Sequence, residues 1–159
     1  MKRSSILSAA LLIVLFSLAC SNSIAQSASG TSLDDAKKAI AASNSIYFQS
    51  FLKNDPSIFI DRYADDCLIM LPNAPAMKGH KGGLDFFKMA YNQIGLRKGR
   101  FITTAVYGLG DGYVAEEGLW QSFNKNNQLF DNGKFLVLWK KTAKGWKMFR
   151  DSFSSDRKK

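Results

Sequence analysis

Apolar residues recur at spacings of three and four in the first half of the chain and alternate with polar ones in the second. That change of period predicts helices followed by strands. Leu33, Ala36, Ile40, Asn44, Tyr47 and Phe51 form one helical face, with Ser32 and Asp35 as a capping-box variant at its start. Asn54-Asp55-Pro56 ends this helix and opens a second, since Asp55 can cap and Pro56 suits the first helical position. Asp65-Asp66 closes the second helix, and Cys67 to Leu71 reads as a short strand. Pro72 and Pro75 stop it, and Met77-Lys78-Gly79 is a brief second strand. Gly82-Gly83 precedes a third helix bearing Leu84, Phe87, Tyr91 and Ile94 on one side, with Gly95 as its stop.

From Phe101 the alternation predicts long antiparallel strands. Phe101–Leu109 and Tyr113–Phe123 flank a Gly110-Asp111-Gly112 hairpin turn. Leu129–Lys141 follows, with a bulge expected at Gly133, and Trp146–Ser154 is the last strand. Helices before a meander make an α+β domain. The expected architecture is a cone, a strongly curved antiparallel sheet wrapped around three N-terminal helices. Such a cone encloses a cavity suited to a small molecule.

The N-terminus changes the compartment. Lys2 and Arg3 precede an apolar run, Ile6 to Ala19, shorter than the about 20 residues of a membrane span and suited to an export signal. Small residues before Gln26 favour cleavage after Ala25. The alternative is acylation at Cys20, where Ser17-Leu18-Ala19-Cys20 resembles a lipobox with Ser17 in place of leucine. The expected organisation is a signal peptide at 1–25, a tether at 26–32, the domain at 33–155 and a polar tail at 156–159. The product is periplasmic or secreted, and is membrane-anchored only if lipidated at Cys20. Cleavage leaves Cys67 as the single cysteine, so no internal disulfide forms, and its apolar strand marks it as a small buried hydrophobe.

The formal charge of +9, or +7 without Lys2 and Arg3, is scattered in short clusters without interleaved aromatics, so no nucleic-acid partner is expected. The chain has no GxGxxG, Walker or GxSxG motif and no Cys/His ligand set, so neither cofactor nor metal is expected. His80, the one histidine, sits in a Lys-Gly-His-Lys-Gly loop and reads as exposed.

Several local features together resemble the nuclear-transport-factor-2-like superfamily, which includes ketosteroid isomerases and SnoaL-like cyclases. They are Asn54-Asp55-Pro56, Tyr63-Ala64-Asp65-Asp66, the loop from Pro72 to Gly79, Phe86-Phe87, Asp131-Asn132-Gly133-Lys134, Trp139, Gly145-Trp146-Lys147 and Arg150-Asp151-Ser152. The resemblance covers about Leu33 to Ser155 and implies the cone fold. It also implies three positions of isomerase chemistry. Tyr47, sixteen residues before Tyr63, stands where that enzyme keeps a tyrosine. Leu71, before Pro72, stands where it keeps its aspartate base. Leu136 to Leu138 stands where it keeps a second oxyanion acid. Two of three groups are therefore apolar, and the standard isomerase mechanism lacks both base and donor.

The candidate chemistry then falls on the strands. The resemblance places Ala115, Glu117, Leu119 and Gln121 toward the cavity, and alternation on the last strand sets Arg150 with Met148 and Ser152, facing the same space. The expected ligand-binding set is Tyr47, Leu71, Phe87, Tyr91, Glu117, Leu119, Arg150 and Ser152, with Glu117 and Tyr47 as candidate catalytic groups. Glu117 and Arg150 either orient a ligand's oxygens or pair with each other across strands. Asp151 is expected to face away and tie a loop. A stripe of Trp120, Trp139 and Trp146 on the outer face would suit a homodimer, which the resemblance implies, although core packing is the simpler reading. The function expected is binding of a small apolar or amphipathic molecule. The rivals are an isomerase, lyase or cyclase working through Glu117 or Tyr47, and a dimerising interaction domain whose cavity is filled.

Overall fold

A computed structural model describes residues 29–157. The expected export segment at 1–25, with Cys20, and the last two residues of the tail lie outside the described residues. The elements are α1 (Ser29–Tyr47), α2 (Gln49–Lys53), α3 (Pro56–Ile60), β1 (Tyr63–Met70), β2 (Met77–Lys78), α4 (Gly79–Met89), β3 (Lys98–Tyr107), β4 (Tyr113–Phe123), β5 (Leu129–Thr142) and β6 (Gly145–Ser155). They build one curved sheet in the order β2-β1-β6-β5-β4-β3. All neighbours are antiparallel except β1 and β6, which run parallel. The helices cover the concave face, giving the α+β cone expected from the element order.

Local chemistry explains most boundaries. Asp55 caps α3, its carboxylate accepting from the Ser57 amide at 2.9 Å, with Pro56 at the first helical position. Asn54, at φ 53°, ends α2 in the left-handed region. Gly95 does the same for the π-helical turn Ala90–Ile94 that extends α4.

Four expectations are corrected. Helix α1 begins at Ser29, and the Ser32 hydroxyl bonds the Gly110 carbonyl instead of capping. Asp65 and Asp66 lie within β1, where Asp66 pairs with Lys140 across 2.8 Å. Helix α4 starts at Gly79 and runs through Gly82-Gly83. A β-carbon on Gly83 would lie 2.6 Å from Ile60 Cδ1, so this glycine admits a neighbouring helix instead of making a turn. Gly133 is likewise a close-approach glycine: a β-carbon there would overlap the Ser154 carbonyl. The bulge expected at Gly133 falls at Phe130, opposite Ser122 and Phe123.

The core is aromatic. Phe51 stacks on Phe87 at 4.7 Å, and Phe59 contacts Tyr63 at 5.0 Å and Phe86 at 5.7 Å between ring centroids. Cys67 is buried, as its strand pattern implies, and burial pushes its thiol up to about 11. The thiol is thus held in its unreactive protonated form.

A cavity with a carboxyl floor

The strands aim two acids at the concave face. On β4 the inward set is Val114, Glu116, Gly118, Trp120 and Ser122. On β6 it is Met148, Asp151 and Phe153. Strand pairing aligns Ile69, Asp151, Val137 and Glu116 in one row across β1, β6, β5 and β4. The acids therefore flank Val137 two strand spacings apart, about 10 Å.

Their environments differ. Glu116 is fully buried and receives three donors: Thr103 Oγ1 at 2.6 Å, Asn44 Nδ2 at 2.7 Å and Trp139 Nε1 at 2.9 Å. Burial nevertheless raises its pKa above the ordinary carboxylate value, opposed by those donors. This arrangement ties α1 to β3, β4 and β5 and leaves Glu116 outside the cavity wall.

Asp151 is 8 % exposed and lines the cavity. The Tyr63 hydroxyl donates to its Oδ2 at 2.6 Å, and the Tyr47 hydroxyl lies 3.4 Å from that of Tyr63. Among the described residues no donor reaches Oδ1. Burial pushes the Asp151 pKa up to about 6, the Tyr63 bond opposes the rise, and the charge of Glu116 adds to it. Tyr63 and Tyr47 are both pushed upward, chiefly by burial and then by the Asp151 charge, so both stay protonated donors.

The cavity has a volume of about 330 Å³. Its aromatic lining is Tyr47 and Phe48 at the end of α1, Phe86 of α4, and Phe101, Trp120, Phe130, Phe135 and Phe153 of the sheet. Leu71, Pro72 and Ala74 edge it from the β1–β2 loop, and Met89, Ala90, Ile94 and Leu96 from the end of α4. The π-helical turn sets this last edge, a location where such turns often serve function. Asp131 and Ser155 add polar atoms, and the Ser155 hydroxyl donates to Asp131 Oδ1 at 2.6 Å.

Of the residues expected at the site, Tyr47 and Leu71 line this cavity. Glu117, Leu119, Arg150 and Ser152 are on the other face of the sheet. Glu117 accepts from Tyr107 Oη at 3.0 Å, and Leu119 is exposed. The Arg150 guanidinium stacks over Phe149 at 3.5 Å and bonds the Asp66 carbonyl at 3.1 Å. Glu117 and Arg150 cannot pair across adjacent strands, because β5 separates β4 from β6. Phe87 and Tyr91 are helix packing: their rings stack at 6.1 Å, and Arg97 lies 3.6 Å over Tyr91. Trp120 and Trp139 are inward and buried, so the tryptophan stripe expected on the outer face does not exist.

Two inward-facing acids escape the sequence reading, each for a definable reason. Glu116 shares parity with Val114 and Trp120, but both β4 sets mix apolar residues with one glutamate, so alternation carries no signal that singles it out. Asp151 is turned inward by a bulge at Phe149, where Leu138 pairs with Arg150 but Trp139 pairs with Met148. Strict alternation from Met148 carries Arg150 and Ser152 inward, and the extra residue reverses this.

No family model matches the chain, and no curated protein matches it. Solved structures do. A nuclear-transport-factor-2-like protein from Shewanella oneidensis superposes with a TM-score of 0.63 at 16% identity, covering 75% of this chain and 98% of that one. A ketosteroid isomerase-like protein from Erwinia carotovora atroseptica gives 0.61 at 20%, covering 75% and 95%. A domain with a cystatin-like fold from Nostoc punctiforme gives 0.67 at 13%, covering 79% of each chain. The chain therefore shares the fold of these nuclear-transport-factor-2-like, ketosteroid isomerase-like and cystatin-like structures. A shared fold of this kind hosts many activities.

Proposed function

We propose that this protein binds a small, mainly apolar molecule inside the cone and holds its polar end at Asp151. The observation that carries this reading is the Asp151 carboxyl. It is buried, lines the aromatic-walled cavity, and among the described residues has a single protein donor, the Tyr63 hydroxyl on Oδ2. A ligand donor bonded to that carboxylate would add a hydrogen bond to a charged group, worth about 1.5–3 kcal/mol. Native mass spectrometry of the full chain purified from its own organism tests the reading. A co-purifying small molecule that is lost in Asp151→Leu is expected. Chain mass alone, in both proteins, refutes the binding reading.

A second reading has one observation in its favour. A carboxyl titrating at about 6 beside two protonated tyrosines is placed to move a proton near neutral pH. An isomerase, lyase or cyclase would use Asp151 as the acid–base group, with Tyr47 donating to a substrate oxygen. This places the enzyme alternative on Asp151 in place of Glu117. The export expected from residues 1–25 and a homodimer through the outer sheet face belong to the same proposal. Exposed Ile102, Leu119 and Leu136 support the dimer.

A further inference from the structure

The cavity is acidic in a chain that is otherwise basic. Asp151 and Asp131 line it, and among the described residues no lysine, arginine or histidine does, although the chain carries 22 lysines and arginines against 13 acids. The nearby cations are turned elsewhere. Arg97 lies over Tyr91 and bonds its carbonyl at 2.6 Å, and Arg150 is stacked on Phe149 on the outer face. Behind Asp151, in the same strand row, Glu116 is buried against neutral donors only. Eight aromatic side chains surround the space.

We infer that the occupant is a small organic cation, a protonated amine on an apolar or aromatic body, its ammonium bonded to Asp151 and ringed by aromatic faces. This inference rests on the binding reading above and names its ligand class. Three physical terms favour it. An ammonium N–H to a carboxylate is a charge-assisted bond, stronger than a neutral one. The aromatic faces attract a desolvated cation. A buried carboxylate is stabilised by an opposite charge, which a neutral alcohol does not supply. A carboxylate ligand would place like charges together in a low-dielectric space.

Isothermal titration of the full chain at neutral pH with three matched bicyclic probes tests the inference. These are 2-naphthylmethylamine, 2-naphthalenemethanol and 2-naphthoate. The amine is expected to bind about tenfold tighter than the alcohol, a difference of about 1.4 kcal/mol, with naphthoate weakest. In Asp151→Asn the amine-to-alcohol ratio falls to about one, while Glu117→Gln, on the outer face, keeps the parent's preference. Circular dichroism confirms that each variant is folded. If the alcohol or naphthoate binds as tightly as the amine, or if Asp151→Asn keeps the preference, the cation inference is overturned and the apolar-ligand reading survives. If none of the three binds, both fall.

Discussion

The Tyr63 hydroxyl donates to Asp151 across 2.6 Å, joining the first strand to the last. The two residues are 88 positions apart and meet because β1 and β6 run parallel. Among the described residues this bond is the one protein contact that favours an ionised Asp151, and it anchors the carboxyl at the cavity.

Replacing Tyr63 with phenylalanine removes that donor. The Asp151 pKa is expected to rise further above about 6, because the bond opposes the upward push of burial. The chain is expected to lose about 1–3 kcal/mol at neutral pH, the cost of a buried carboxylate left unsatisfied. Urea denaturation measures the stability, and carboxyl-carbon NMR titration follows the ionisation. A downward move of the Asp151 titration would refute its assigned environment.

Stability should carry the signature of Asp151. Its pKa is about 6 in the folded chain against 3.8 for an unperturbed aspartate. The native state therefore binds more protons between these values, and stability falls as pH rises through them. Above pH about 6 the whole cost is present, about 3 kcal/mol. Tyr63, Tyr47 and Glu116 are the other titratable groups that act on it. Asp151→Asn is expected to be more stable than the parent at pH about 7.5 and to lose that advantage at pH about 4.5. Denaturation midpoints at the two pH values decide it, since an equal difference at both removes the titration of Asp151 as the cause.

Adjacent glutamates on β4 should behave as opposites. Glu116→Ala strands Thr103, Asn44 and Trp139 donors in the core and opens a void, so a loss of about 2–5 kcal/mol is expected. Glu117→Ala, on the outer face, should shift stability by about 0.5 kcal/mol or less. Urea titrations of the pair provide the comparison. Similar losses would contradict the inward facing of Glu116 alone.

The outer face supports a dimer prediction. Ile102 pairs with Leu119 across β3 and β4, and Leu136 pairs with Glu117 across β4 and β5, leaving three exposed apolar side chains on neighbouring strands. Leu119→Lys with Leu136→Lys is expected to convert a dimeric parent into a folded monomer. Light scattering coupled to size-exclusion chromatography reads the mass. A monomeric parent would refute the interface.

Much of this domain was legible in the chain. The change of period separated helices from strands, Asp55-Pro56 fixed the start of α3, and Gly110-Asp111-Gly112 fixed the β3–β4 hairpin. These are local effects of capping, restricted φ and alternation, and neighbouring residues suffice to specify them. Tyr47 and Leu71 were placed at the cavity by the resemblance to the isomerase, through their positions relative to Tyr63-Ala64-Asp65-Asp66 and Pro72. The face of each long strand was not fixed in the same way. On β4 both alternating sets hold one glutamate and several apolar residues, so alternation alone does not decide which turns inward. Packing decides it: Gly118 lies against the Phe135 ring, and Trp139 reaches Glu116. On β6 the extra residue at Phe149 reverses the side that strict alternation assigns, bringing Asp151 in and sending Arg150 out. The sequence by itself determined the elements and the order that folds them into a cone. Only the tertiary structure decided which carboxyl the cone encloses, because a bulge is set by pairing with another strand and one residue of slip exchanges the two faces.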